Sequence, residues 1–228
     1  MTDADTRAEA RMRALIRETY PSHGILGEEE GQTHGTEDCQ WVVDPIEGTA
    51  WYSLGIPKFG TLVALLEGLV PRLGVIRLPF TAETLYAERA KGCWYARSGQ
   101  KPKRVRVDAT VARLAEAHVS LSGLEYSEIT AARWQPRFRL TPLICGAKRT
   151  QFVGDCLQHM LVARGRLHAA LAAIMHPWYS AAIVPCIQEA GGVVSTLDGE
   201  TDDIPFGGSL VSSCCPQLHG QILELVNH

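Results

Sequence analysis

One nine-residue stretch constrains this chain more than any other: Trp41-Val42-Val43-Asp44-Pro45-Ile46-Glu47-Gly48-Thr49. Val42 and Val43 read as the end of a buried strand. Pro45 has a fixed φ and no N–H, so the strand is expected to stop there. Gly48 lets the backbone approach a ligand closely. Two carboxylates and a hydroxyl then converge at one strand end. Hard cations such as Mg²⁺ take that ligand set, usually with substrate phosphate completing the shell. Taken alone, D-P-x-E-G-T is better read as an ordinary turn, so the flanks decide.

The 228 residues suit one large domain or two closely joined ones, and 46% hydrophobic content with a net charge of −3 excludes disorder. There is no basic field for nucleic acid. No apolar run reaches the roughly 20 residues of a membrane span. The start, Met1-Thr2-Asp3-Ala4-Asp5, is polar and has no signal-peptide core, which predicts a cytoplasmic protein. The seven cysteines are scattered, odd in number and without zinc spacing, which suits buried free thiols in a reducing compartment.

Along the chain, Thr6 to Thr19 reads as a helix with an apolar stripe at Ala8, Met12, Leu15 and Ile16. Ile25-Leu26 is a short apolar segment before Gly27-Glu28-Glu29-Glu30-Gly31, where Glu29 and Glu30 read as solvated. Phe59 to Glu67, Leu69 to Leu78, Leu85 to Glu88 and Gly92 to Ala96 predict an antiparallel meander, followed by a basic loop over Ser98 to Arg106. Past Asp108 the pattern becomes α/β. Helices are expected over Thr110–Ala117, Tyr126–Arg137, Gly154–Ala163, Trp178–Ala190 and Pro216–Val226. Strands are expected at His118–Ser122, Leu167–Ala173, Val193–Thr196 and Leu210–Cys214, and Leu143–Cys145 is short and apolar.

Four separated pieces now combine: Thr2-x-x-Asp5; Gly27-Glu28-Glu29; Asp44-Pro45-Ile46-Glu47-Gly48-Thr49; and Trp178-Tyr179-x-Ala181-Ala182 leading into Glu189-Ala190-Gly191-Gly192. In this order and spacing they resemble the inositol monophosphatase superfamily, whose signatures are T-x-A-D, G-E-E, D-P-[IL]-D-G-T and W-D-x-A-A…E-A-G-G. Gly154-Asp155-Cys156, Ala163-Arg164-Gly165-Arg166 and Val184-Pro185 look most like its bacterial histidinol-phosphate phosphatase branch. The resemblance covers almost the whole chain. It implies a layered αβαβα sandwich. Residues 1–107 are expected to form an α+β half carrying the metal and phosphate motifs, and residues 108–228 an α/β half completing the cleft. It also implies a homodimer and Mg²⁺-dependent hydrolysis of a small phosphomonoester, of the histidinol-phosphate or inositol-phosphate kind.

Carried over by position, Glu28, Asp44, Glu47 and the Ile46 carbonyl would hold metal. Asp5 and Thr49 would orient and deprotonate the attacking water. The N–H groups of Gly48 and Thr49 would hold phosphate, and Gly154 and Asp155 would face the alcohol portion. Asp5 as a plain helix cap and Thr49 as a turn residue are the bland alternatives.

Three departures stand against the pattern. Glu47 sets its carboxylate one methylene further out than the family's Asp. Tyr179 replaces a metal-binding Asp with a neutral phenol. The chain starts at the T-x-A-D motif, so the helix that normally precedes it is expected to be absent. The leading reading is a phosphomonoesterase with one or two Mg²⁺ ions. The alternative is a repurposed, metal-poor enzyme on the same scaffold, for example in a secondary-metabolite pathway. Glu47 and Tyr179 would then be the acid/base pair, aided by His176. A catalytically silent binding subunit is a third possibility.

Overall fold

The computed structural model describes residues 2–133 and 135–228. The first half comprises α1 (Asp3–Thr19), β1 (Gly24–Gly27), β2 (Gly31–Thr33), β3 (Cys39–Glu47), α2 (Thr49–Ser53), β4 (Gly60–Glu67), β5 (Val70–Leu78), β6 (Glu83–Glu88), β7 (Gly92–Arg97) and β8 (Lys103–Val105). The second comprises β9 (His118–Ser122), α3 (Thr141–Gly146), β10 (Arg149–Gln151), α4 (Asp155–Ala163), β11 (Ala169–Ala172), α5 (Pro177–Glu189), β12 (Val193–Ser195), β13 (Leu210–Ser213) and α6 (Pro216–Asn227).

Two sheets organise these elements. The first has eight strands in the order β2-β1-β3-β4-β5-β6-β7-β8, antiparallel except where β1 runs parallel to β3. The second has five, in the order β10-β9-β11-β13-β12, with β10, β9 and β11 mutually parallel. Helices α4 and α5 lie between the sheets, and one continuous apolar core binds them to both. Helix α1 packs on β3, while α3 and α6 cover the second sheet's outer face. The order is the expected αβαβα sandwich. The middle layer needs close approach: a Cβ on Gly74 of β5 would stand 2.2 Å from the carbonyl oxygen of Ala182 in α5. Gly74 also makes room for the ring of Pro185, buried inside that helix.

The sequence misleads in several places. Strand β3 runs through Pro45 to Glu47, because its register with β4 shifts between Asp44 and Glu47 and the Thr61 hydroxyl donates to the Pro45 carbonyl at 2.8 Å. A bulge thus absorbs the missing N–H. Tyr126–Arg137 is not a helix; Trp134 lies outside the described residues. Tyr126 has φ +59°, and only Glu128–Thr130 forms a 3₁₀ turn. The Glu128 carboxylate instead accepts the Leu140 and Thr141 N–H groups at the start of α3, the helix that takes up Leu143–Cys145. Thr110–Ala117 reduces to a 3₁₀ turn at Leu114–Glu116, since Asp108 folds back on the N–H and hydroxyl of Thr110. The basic loop contains β8.

Helix α1 carries the largest surprise. Its buried face is Asp5, Glu9 and Arg13, while Leu15 of the apolar stripe is exposed. The Glu9 carboxylate accepts the N–H groups of Glu29 and Glu30 at 2.8 and 3.1 Å and pairs with Arg13 Nε at 2.8 Å. Arg13 reaches on to the Gly31 carbonyl and Thr33. A polar stripe at i, i+4, i+8 is thus spent on holding one acidic turn.

Candidate active site

Every predicted site residue sits at the end of an element. Asp5 lies in the first turn of α1, and Glu28 in the turn after β1. Asp44, Ile46 and Glu47 close β3, and Gly48 and Thr49 open α2. Gly154 and Asp155 open α4, and His176 and Tyr179 open α5. Gly48 has φ +90°, a conformation that an L side chain rarely adopts, and it turns β3 directly into α2.

Asp5 is buried and bonded on both oxygens. One takes the N–H and hydroxyl of Thr2 at 2.6 Å each, closing a capping box; the other lies 3.3 Å from the Thr49 hydroxyl. That hydroxyl is also 3.0 Å from the Ile46 carbonyl. The helix cap and the contact to Thr49 thus coexist in one carboxylate.

Glu28 and Asp44 face each other. Asp44 is fully buried, and neither of its oxygens has a hydrogen-bond partner; the same holds for Oε2 of Glu28. Burial pushes both carboxyls up, and the neighbouring negative charges raise Asp44 well above the usual carboxylate range. Two such groups need a shared proton or a cation between them. Three buried, unpaired carboxylate oxygens are a hard donor set, and they fit one divalent ion such as Mg²⁺.

The second half of a two-metal site is not assembled. Glu47 turns away: its Oε2 accepts the Cys156 N–H at 3.1 Å, at the head of α4. Burial, and then the charge of Asp155, raise its carboxyl to about 7. The Tyr179 hydroxyl is committed to Glu28 Oε1 at 3.1 Å, and burial with three nearby carboxylates pushes its phenol far up. Among the described residues, Glu28, Asp44 and Glu47 do not bring ligand atoms within 4.8 Å of one another; only His23, Glu37 and Cys39 do, and Cys39 opens β3 at its opposite end. His176 is exposed, stacked on Trp178 and edge-on to Tyr179 at 5.9 Å between ring centroids.

Sequence reasoning passed over two residues. Glu9, an ordinary helix-surface residue by pattern, fixes the Glu28 turn. Gly27 must be glycine there, since a Cβ would lie 2.1 Å from a Glu9 oxygen. Lys58 is the other, with its ammonium 2.9 Å from Asp155 Oδ2 and 4.0 Å from the Trp51 ring centre. Its place shortly after the Gly48-Thr49 turn was the one available signal.

The chain is similar to known proteins along its full length. The model of the inositol monophosphatase family matches residues 1–228. A histidinol-phosphatase of Mycobacterium tuberculosis is 35% identical over 227 residues, covering 100% of this chain and 84% of the relative. An inositol-1-monophosphatase of Caulobacter vibrioides is 32% identical over 230 residues, covering 98% of this chain and 86% of the relative. A solved Thermotoga maritima IMPase superposes with a TM-score of 0.83 at 27% identity, covering 99% of this chain and 82% of that one. Among the described residues no helix is long and apolar enough to cross a membrane.

Proposed function

The chain belongs to the inositol monophosphatase family, and from that premise we propose that it is a phosphomonoesterase that works with a single divalent ion, Mg²⁺. Its substrate is a small phosphorylated alcohol of the histidinol-phosphate or inositol-phosphate kind, in line with the names of its relatives. One observation carries the reading: Asp44 is buried with both oxygens unpaired, beside the unpaired Oε2 of Glu28. Glu28, Asp44 and the Ile46 carbonyl would hold the ion, which would supply positive charge to polarise the phosphoryl group and acidify the attacking water.

The remaining steps belong to the chain itself. The Thr49 hydroxyl accepts a hydrogen bond from the water and passes its own proton toward Asp5, whose Oδ1 holds it. The N–H groups of Gly48 and Thr49 hold phosphate oxygens. Gly154, Asp155 and the exposed His176 contact the alcohol portion. Tyr179 keeps its proton and donates it as a hydrogen bond to Glu28, which fixes that carboxylate's orientation. We take it further to be a cytoplasmic homodimer, and sedimentation at working concentration tests the dimer.

Phosphate release from histidinol phosphate or inositol 1-phosphate should require Mg²⁺ and collapse in Asp44→Asn. A wild-type protein that releases no phosphate from a panel of monoesters, with Mg²⁺ or Mn²⁺, sinks the reading. Glu47 favours a second one. A buried carboxyl near 7 suits general acid–base work, with Tyr179 as its partner and no metal. In that case restoring Asp at both 47 and 179 creates phosphatase activity and abolishes the native reaction.

A further inference from the structure

Lys58 lies in the segment joining α2 to β4 and makes contact with both halves of the site. Its side chain is only 19% exposed, and its ammonium is held by two contacts. The Trp51 ring of α2 lies 4.0 Å away, Asp155 Oδ2 lies 2.9 Å away, and the Cα of Gly154 leaves room beside it. A Cβ on Gly154 would stand 3.2 Å from the nitrogen. The carbonyl of Lys58 backs directly onto Gly48, where a Cβ would meet it at 3.0 Å. Lys58, Glu47 and Asp155 line one cavity of about 140 Å³, and among the described lining residues Lys58 is the only base. Its charge also acts on Glu47, opposing the rise that burial imposes.

Glu47 and Asp155 meet here, while Asp44 faces Glu28 on the other side of the β3 bulge, and the ligand set for a second dication is broken at Glu47 and Tyr179. A fixed ammonium stands beside Glu47 instead. We propose that Lys58 supplies the positive charge on the alcohol side of the site and donates a hydrogen bond to the ester oxygen as it leaves. The inference rests on the phosphomonoesterase reading. In the step, water forms a new P–O bond while the P–O bond to the alcohol breaks with its electron pair on the alcohol oxygen. That oxygen takes up one proton from solvent, and the proton lost by the water passes through Thr49 to Asp5 and out. Lys58 keeps its own proton throughout. Preorganised charge aimed at an oxygen that becomes negative is worth most when the leaving alkoxide is poor.

The test compares Lys58→Met and Lys58→Arg with wild type on an alkyl phosphate (glycerol 2-phosphate) and an aryl phosphate (p-nitrophenyl phosphate), in Mg²⁺. Lys58→Met should lose about 100-fold in kcat on the alkyl ester and less than about fivefold on the aryl ester, while Lys58→Arg keeps most of both. In parallel, ³¹P NMR titration of inorganic phosphate into metal-free protein should show binding at least about fivefold weaker in Lys58→Met, because the product's fourth oxygen occupies the leaving position. Equal losses on both esters, no loss on either, or unchanged phosphate binding in Lys58→Met overturns the role of Lys58 and leaves the phosphatase reading standing. A wild type inactive on both esters and on the panel above overturns both. Circular dichroism and thermal melting of each variant separate these outcomes from failure to fold.

Discussion

Glu47→Gln in the metal-free protein probes the altered motif most directly. The Glu47 carboxyl is buried, and burial with the Asp155 charge lifts it from the ordinary 4.5 to about 7. Between those values the folded chain keeps a proton that the unfolded chain has released. Stability from this group is therefore complete below pH 4.5, falls as pH rises through the window and levels off above about 7. At about 1.4 kcal/mol per pH unit, the window is worth about 3 kcal/mol. The substituted amide would keep an oxygen for the Cys156 N–H, so the helix contact survives while the charge is lost. Asp44 and Glu28 are pushed in the same direction and are present in both proteins; because the Glu47 charge also raises Asp44, the difference between the two reads Glu47 together with its coupling to Asp44. Urea unfolding in chelator at pH 5 and pH 8 reads the effect. The variant should gain about 2.5 kcal/mol relative to wild type between the two conditions. A difference that stays constant to within about 1 kcal/mol refutes the assignment of a buried, charge-averse carboxyl at this position.

Four further outcomes follow from the same geometry. Asp44→Asn should lose the Mg²⁺-induced rise in melting temperature that wild type shows, and its metal-free form should melt higher than metal-free wild type, since a buried unpaired charge is removed. Tyr179→Asp combined with Glu47→Asp should raise the Mg²⁺ stoichiometry measured by calorimetry from one to two per chain. Gly74→Ala should destabilise by about 3 kcal/mol or more in chemical denaturation, because backbone opposes the new methyl at 2.2 Å. His159 and His219 are buried neutral, with burial lowering them to about 3 and about 4. Their contribution is present above pH 6.5 and lost as pH falls, by about 2 kcal/mol per ring at pH 5, so His159→Gln should flatten the acid limb of a stability–pH curve.

The four ordered motifs determined the family and the sandwich, because each motif encodes its own local turn. Gly48 needs its left-handed φ, Gly27 its missing Cβ, and the strand–turn–helix at residues 42–53 forms from neighbours in sequence. The apolar periods of β4 to β7 and α5 were legible for the same reason. The stretches that failed, Thr110–Ala117 and Tyr126–Arg137, carry helix-like composition whose polar groups find partners elsewhere, as Asp108 and Glu128 do.

Only the tertiary structure decided which carboxylates share a space. Asp44 and Glu47 are three residues apart and look equivalent in the motif, yet the bulge at Pro45 directs one to Glu28 and the other to the head of α4. Glu9 and Lys58 gained their places the same way, Glu9 through the turn after β1 and Lys58 through Asp155 in the other half of the chain. Pattern reports the period of an element and its turns. Which buried charge meets which partner depends on long-range packing, and desolvation makes that choice the one that sets the chemistry.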